Sequence, residues 1–245
     1  MNSRRDMDLA IVTIAFGGYG EWLPKWAEHV SVVGPTQTVI ALGQDHGLTA
    51  KDEAVVLKFL PDVHIVRTNF RTMGALRNAA VEETRTEWVL YLSSDDGIYP
   101  DALETLAASA TDSDFIIVSW DSVRTYIPND TVQHHHALLP TEMVGGRGFI
   151  VGHSPFTRRL WERVGGYVTH DLPNSPFNTA CARAGARFTK TTKPVTIYLR
   201  RPDSHCRLLR ARAQLIPALS AQAKELAKEQ TETMCHLYGD KGPVT

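Results

Sequence analysis

The sequence predicts an α/β fold: a mostly parallel sheet flanked by helices, then a smaller antiparallel section, then a C-terminal helix. Three observations predict it. Short apolar runs bounded by Gly, Asp and Pro alternate strictly with helix-spaced segments as far as residue 120, the pattern of strand–helix–strand units. The runs at 9–16 and 88–92 are apolar without alternation, as strands buried on both faces must be. Beyond residue 120 the pattern changes to hairpin-like and short helical pieces.

In order, residues 9–16 form the first strand, Gly17-Gly18-Tyr19-Gly20 a turn, and 21–33 a helix by apolar spacing. A second strand at 38–42 ends in Gly43-Gln44-Asp45-His46-Gly47, and 50–60 is helical. A third strand at 63–67 runs into a loop at 68–73, and 74–85 is helical. The fourth strand, 88–92, ends in Ser93-Ser94-Asp95-Asp96-Gly97. Pro100 suits the first turn of a helix at 102–110, and 115–120 is a fifth strand. Segments 123–127 and 131–139 flank Pro128-Asn129-Asp130 as a hairpin. A short strand at 148–151, helices at 157–164 and 177–184, and a last strand at 195–199 follow. Residues 207–236 read as a long amphipathic helix interrupted near Pro217. The economical division is one domain over 1–206, in parts 8–120 and 121–206, with a helical appendage at 207–245.

Bulk properties narrow the function classes. The chain has 245 residues, 43% hydrophobic and 22% charged, with a net charge of −1. That is ordinary for a soluble globular protein and gives no global attraction to nucleic acid or anionic membrane. Cys181, Cys206 and Cys235 are far apart, which argues against a disulfide framework or structural zinc site and fits a reducing cytosol. The polar N-terminus has no signal-peptide pattern, and no apolar run approaches the roughly 18 residues of a membrane span. The expected location is cytoplasmic.

Four loops follow parallel strands at their carboxyl ends, where open α/β sheets bind ligands. The first, Phe16 to Glu21, is neither Gly-x-Gly-x-x-Gly nor a P-loop, so a Rossmann dehydrogenase or P-loop kinase has no support. Asp45 suits a hydrogen bond to a nucleobase or ribose, or serves simply as a turn former. Asp95 and Asp96 suit a hard divalent cation, since Mg²⁺ is typically held by one or two carboxylates plus substrate phosphates. The plainer alternative is a turn and helix N-terminus.

The order of motifs resembles the family 2 glycosyltransferases, which have the GT-A fold. The resemblance runs from about Leu9 to Arg207. Its best stretch begins Gly74-Ala-Leu-Arg-Asn-Ala-Ala-Val81 and continues through Trp88-Val-Leu-Tyr-Leu-Ser-Ser-Asp-Asp96 to Pro100-Asp-Ala-Leu103. This matches an Ala-Arg-Asn-Ala-Gly segment, a strand ending in Asp-x-Asp-Asp, and Pro-x-x-Leu. Phe156-Thr-Arg-Arg159 and Val164-Gly-Gly-Tyr167 resemble the acceptor-side segment, and Ala182-Arg-Ala-Gly185 the close of the next helix.

The resemblance implies roles position by position. Asp95 is the metal ligand that bridges to the donor diphosphate, Asp96 a frequent extra Asp, and His205 a late ligand completing the metal shell. Mn²⁺ or Mg²⁺ is the implied cofactor. Ser93 stands where the family has Asp against the ribose, with Ser94 beside it. Arg77 and Asn78 lie near the nucleotide, Arg77 offsetting phosphate charge or forming a structural ion pair. Phe16, Gly17 and Asp45 wrap the base. The family's Glu-Asp at the start of the last short helix falls on Pro173 and Asn174, so the nearest carboxylate, Asp171, is the expected catalytic base, with His170 a lesser candidate. Arg200, Arg201 and Arg207 suit a diphosphate clamp or a solvated loop.

Other features stay open. In His134-His135-His136 only the outer two share a strand face; an exposed polar hairpin, an acceptor groove and a metal pair are the readings. Trp120, Trp161 and Tyr167 suit an acceptor sugar site or the core. The apolar stripe Leu208, Leu209, Leu215, Ile216, Leu219 and Leu226 suits packing on the domain or a homodimer.

The expected activity is metal-dependent, inverting transfer of a sugar from a nucleoside diphosphate donor, UDP by default. The acceptor hydroxyl belongs to a glycan, lipid-linked sugar, protein side chain or modified nucleobase. The lack of membrane segments argues against a processive polysaccharide synthase. Two alternatives stand: a degenerate nucleotide-sugar binder, suggested by Ser93 and the missing Glu-Asp, and a sugar-phosphate nucleotidyltransferase, which would want a basic residue in the first loop.

Overall fold

The computed structural model describes residues 7–124, 132–142, 150–169, 172–200 and 217–238. Strand β1 (Leu9–Ala15) is buried at every position. It pairs in parallel with β2 (Gln37–Leu42) and β4 (Trp88–Tyr91), and β2 pairs in parallel with β3 (His64–Arg67). Helices α1 (Leu23–Val33), α2 (Ala50–Phe59) and α3 (Met73–Glu82) make the crossovers. Thr49 caps α2 by accepting from the Asp52 amide at 3.2 Å, which satisfies one of the amides the first turn leaves open.

The sheet continues past β4. A two-residue strand β8 (Phe156–Thr157) runs antiparallel to both β4 and β6 (Phe115–Arg124), so β6 runs in the same sense as β4. Strand β9 (Phe188–Arg200) is parallel to β6, and β5 (Gly97–Ile98) closes that side antiparallel to β9. Strand β7 (Val132–His135) pairs antiparallel with the far end of β6. Helices α4 (Ala102–Ser109), α5 (Arg158–Val164), α6 (Asn174–Arg183) and α7 (Pro217–Tyr238) complete the described elements.

The unbroken apolar character of β1 follows from its double burial. Ala10, Val12 and Ile14 join a core with Leu76 of α3, Leu160 of α5 and Phe177 of α6. Leu9, Ile11 and Ala15 join a second core with Trp26 of α1, Val56 of α2 and Leu106 of α4. Alternate residues of a strand face opposite sides, so both sides had to be apolar.

Several elements differ from the sequence reading. The hairpin's first strand is no separate element: β6 continues without a break to Arg124 and is itself the partner of β7. Ile150 and Val151 are not in a strand; the short strand nearby is β8. Strand β9 begins at Phe188, seven residues before the apolar run suggested. Its first half, Thr189-Lys-Thr-Thr-Lys-Pro194, is polar and contains a proline that cannot donate to a ladder. The ladder tolerates it through register shifts around Ser119, where side chains replace backbone partners. The Ser119 amide donates to Thr191 Oγ1 at 2.8 Å, and the Ser119 hydroxyl donates to the Thr191 carbonyl at 3.0 Å. Helix α6 begins at Asn174 rather than Phe177. The turn at 128–130 and most of the expected helix before Pro217 lie outside the described residues.

Phe156 sits at the junction of the sheet and the α5–α6 layer, 4.9 Å from Phe177, 6.1 Å from Tyr167 and 6.5 Å from Phe115 between ring centroids. Phe156→Ala is expected to lower stability by roughly 3–5 kcal/mol, read as a shifted midpoint in urea denaturation.

Candidate functional site

The carboxyl ends of β1, β2 and β3 are stitched into one rim. The Gly18 amide donates to the Asp45 carbonyl at 2.8 Å, Gly20 to His46 at 2.6 Å, Gly43 to Ala15 at 2.8 Å, and Gln44 to Phe70 at 3.0 Å. Glycine is required where these loops touch: a Cβ on Gly20 would lie 2.3 Å from the Leu48 amide nitrogen, and one on Gly43 2.7 Å from the Phe70 carbonyl oxygen. Asp45 takes a left-handed φ of 54°, a conformation Asp tolerates better than most residues. The rim carries Phe16 stacked with Tyr19, exposed Gly17 and Asp45, and Phe70 at 47% exposure. Arg71 Nε donates to Gln44 Oε1 beside them. The structure thus brings Phe16, Gly17 and Asp45 together. Phe70 and Arg71 were not singled out from sequence, although an aromatic–arginine pair in a carboxyl-end loop was a usable signal.

At the end of β4 the chain turns tightly, the Asp96 amide donating to the Ser93 carbonyl at 3.0 Å. The four side chains have different surroundings. The Ser93 hydroxyl donates to Tyr91 Oη at 3.3 Å, Ser94 is buried, and Asp95 is half-buried. Asp96 is 3% exposed and faces into the fold. Its Oδ1 accepts from the Leu199 amide at 2.9 Å. Its Oδ2 lies 2.9 Å from His153 Nε2, at ion-pair distance though not aligned as a hydrogen bond. His153, also buried, has Nδ1 3.3 Å from Thr196 Oγ1. Among the described residues no three His, Cys, Asp or Glu side chains converge as a metal cluster. His205 lies outside the described residues.

Arg77 and Asn78 occupy the buried side of α3. Arg77 is 3% exposed; its guanidinium lies 3.7 Å from the Tyr91 ring centroid and 5.3 Å from that of Tyr167. Its Nη1 donates to Asn174 Oδ1. Asn78 ties α3 to the Val164-Gly-Gly-Tyr167 segment. Its Oδ1 accepts from the Tyr167 amide at 2.8 Å and from Trp161 Nε1 at 3.3 Å, and its Nδ2 donates to the Tyr167 carbonyl at 2.8 Å. Gly166 has φ 78°, and a Cβ there would sit 2.8 Å from Asn78 Oδ1. The double glycine is therefore a close approach to α3. Burial, opposed by the Arg77 charge, pushes the Tyr167 phenol far above its ordinary range. Tyr167 and Trp161 pack with the core.

The far ends of β6, β7 and β9 carry a second polar group. Trp120 stacks on His135 with centroids 3.8 Å apart and meets Tyr198 edge-on at 5.8 Å. Burial, with the Arg200 charge behind it, lowers the His135 pKa. On the neighbouring residue pair, Asp121 is 2% exposed and bridges the Tyr99 hydroxyl and His134 Nδ1, the latter at 2.6 Å. Burial and the bond to Asp121 push the Tyr99 phenol up to about 12. His170, Asp171, Arg201 and Arg207 lie outside the described residues, as do the stripe positions Leu208, Leu209, Leu215 and Ile216. Asn174, where the family's base pattern falls, is held by Arg77.

The family model for glycosyl transferase family 2 matches residues 43–171, more than half of the chain. Residues 1–349 of S. aureus TarS in complex with UDP-GlcNAc superpose with a TM-score of 0.63 at 14% identity, over 81% of this chain and 60% of that one. The same segment in complex with UDP gives 0.62 at 14% identity, over 93% and 71%. S. aureus TarS gives 0.60 at 14% identity, over 84% and 39%. At this identity the likeness is one of fold, and the chain spans about 60% of the length of the first of these structures. No curated protein matches the chain. No described helix is long and apolar enough to cross a membrane.

Asn78→Ala would strand the Tyr167 amide and Trp161 Nε1 together. The expected cost is roughly 1–3 kcal/mol, measured as a lowered thermal midpoint without ligand.

Proposed function

The chain belongs to glycosyl transferase family 2, and on that footing we propose that it moves a sugar from a nucleoside diphosphate, UDP first, to an acceptor hydroxyl with inversion. The observation that carries this reading is the shared carboxyl edge. The Phe16–Gly20, Gly43–Gly47 and Phe70 loops interlock there, and the same edge bears the Ser93–Asp96 turn. An aromatic, a turn carboxylate and small glycines suit a base and ribose. Ser93 and Ser94 supply hydroxyls toward the ribose without charge. Arg77, behind Tyr91, supplies positive charge near the diphosphate.

A divalent cation fits this edge through one protein carboxylate. Asp96 is buried, with Oδ1 bonded to the Leu199 amide and Oδ2 at 2.9 Å from His153 Nε2, whereas Asp95 is half-buried. Asp95 would hold Mn²⁺ or Mg²⁺ together with the donor's phosphates, with His205 as a further ligand. Bound there, the ion would stabilise the leaving diphosphate. The chain's own residues then position the donor and remove the acceptor's proton. Asp171 is the carboxylate nearest the position where the family places the residue for that last task.

One observation favours a second reading, a nucleotide-sugar binder without turnover: Asn174 puts an amide, already bonded to Arg77, at the pattern position of the base. The two readings separate on a panel of UDP- and GDP-sugars with Mn²⁺, scored by thermal protection and by mass detection of released nucleoside diphosphate. We expect protection and Mn²⁺-stimulated release from a UDP-sugar. Asp95→Ala should reduce release by about 100-fold or more in the same assay. Protection without release across a broad acceptor set would establish the binder; neither protection nor release would end both readings.

A further inference from the structure

The pair His134–Asp121 has the geometry of an oriented imidazole base. Asp121 is almost wholly buried, while the His134 side chain is 65% exposed. A carboxylate only accepts, so the 2.6 Å contact sets the proton on His134 Nδ1 and turns Nε2 away from Asp121 as the basic nitrogen. The second Asp121 oxygen accepts from the Tyr99 hydroxyl, so the carboxylate cannot rotate away from the ring. A buried carboxylate that fixes the imidazole tautomer and stabilises the imidazolium is the logic of the serine hydrolase triad.

The pair also sits at the correct edge of the sheet. Val89 of β4 is level with Phe156, and Phe156 with Phe115 of β6. Because β4 and β6 run in the same sense, the turn that follows β4 and the far end of β6 lie toward the same edge of the sheet. Where β8 lies between them, two strand spacings separate β4 from β6, on the order of 10 Å. Tyr99 adds a direct link, since it leaves the Asp95–Asp96 turn through β5, which pairs with β9 beside Asp121. His135 does not compete for the role: its ring lies flat on Trp120 with Nε2 3.0 Å from the Ser122 hydroxyl.

We propose that His134 is the general base that activates the acceptor, with Asp121 as its positioning residue and Tyr99 holding Asp121. The inference rests on the transferase reading above. In the step, the acceptor O–H passes its proton to His134 Nε2 as the oxygen bonds to the anomeric carbon. The bond from that carbon to the diphosphate oxygen breaks, and the nucleoside diphosphate leaves with the electron pair. Asp121 stabilises the imidazolium until solvent takes the proton.

The test uses the full chain, a UDP-sugar that protects the wild type, and water as the acceptor. His134→Ala is a surface change and should keep the fold and the UDP affinity. It should lower release of UDP by about 100-fold or more, and added imidazole should restore part of the rate. Asp121→Asn should cost rate in the same direction and abolish the fixed tautomer of His134, read by ¹⁵N NMR of the imidazole. Wild-type turnover in His134→Ala overturns the proposal, as does a loss that imidazole leaves unchanged. Full activity in His134→Ala with loss in Asp171→Asn would assign the base to Asp171. A wild type that binds no UDP- or GDP-sugar is a different failure, that of the transferase reading itself.

Discussion

The candidate site depends on how one buried carboxylate is satisfied. Asp96 lies at the end of β4, almost without solvent, and a charge in that position is tolerable only if its oxygens are met by donors or cations. The Leu199 amide bonds to Oδ1, and His153 Nε2 lies 2.9 Å from Oδ2. In doing so they join the turn after β4 to the end of β9 and to the segment preceding β8. Asp95, the next residue back, is therefore carried on a turn braced from two directions. Adjacent carboxylates end up with different exposure: Asp96 is buried inside the fold, and Asp95 is half-buried at the carboxyl end of β4.

A similar division of labour runs through α3. Arg77 and Asn78 are neighbours, yet Asn78 is consumed in holding Tyr167 and Trp161, while Arg77 lies between two tyrosine rings and bonds to Asn174. The Gly165-Gly166 pair makes sense in these terms, because the chain must pass close to the Asn78 amide. A motif that reads as a nucleotide contact is thus also a splice between the strand-rich half and the α5–α6 layer. The polar group on β6 and β7 extends the edge laterally, with Asp121 buried behind an exposed imidazole.

Much of the fold was legible in the sequence. The parallel core was, because each of its strands and helices has a local signature: double-faced apolar runs at β1 and β4, helical spacing in α1 and α3, and Gly or Asp at the turns. The β6–β9 region was harder to read. The polar first half of β9 and its Pro194 carry no strand signature; they become a strand because Ser119 and Thr191 replace the missing ladder contacts. Rim residues Phe16, Gly17 and Asp45 could be named beforehand; Phe70 and Arg71 were not, although their loop was placed and the aromatic–arginine pair within it was a usable signal. Nor did adjacency in His134-His135-His136 show that one ring would pair with Asp121 and the next lie on Trp120.

By itself the sequence determined the class of fold, the family and the edge where the loops after β1 to β4 gather, since those follow from periodicity, turn residues and motif order along a continuous stretch of chain. The tertiary structure alone decided which side chains face that edge. The deciding contacts join Asp96 to Leu199 across 103 residues and Arg77 to Asn174 across 97. Partners so far apart are selected by burial and by the need to satisfy polar groups once the strands have packed, and no local pattern encodes that.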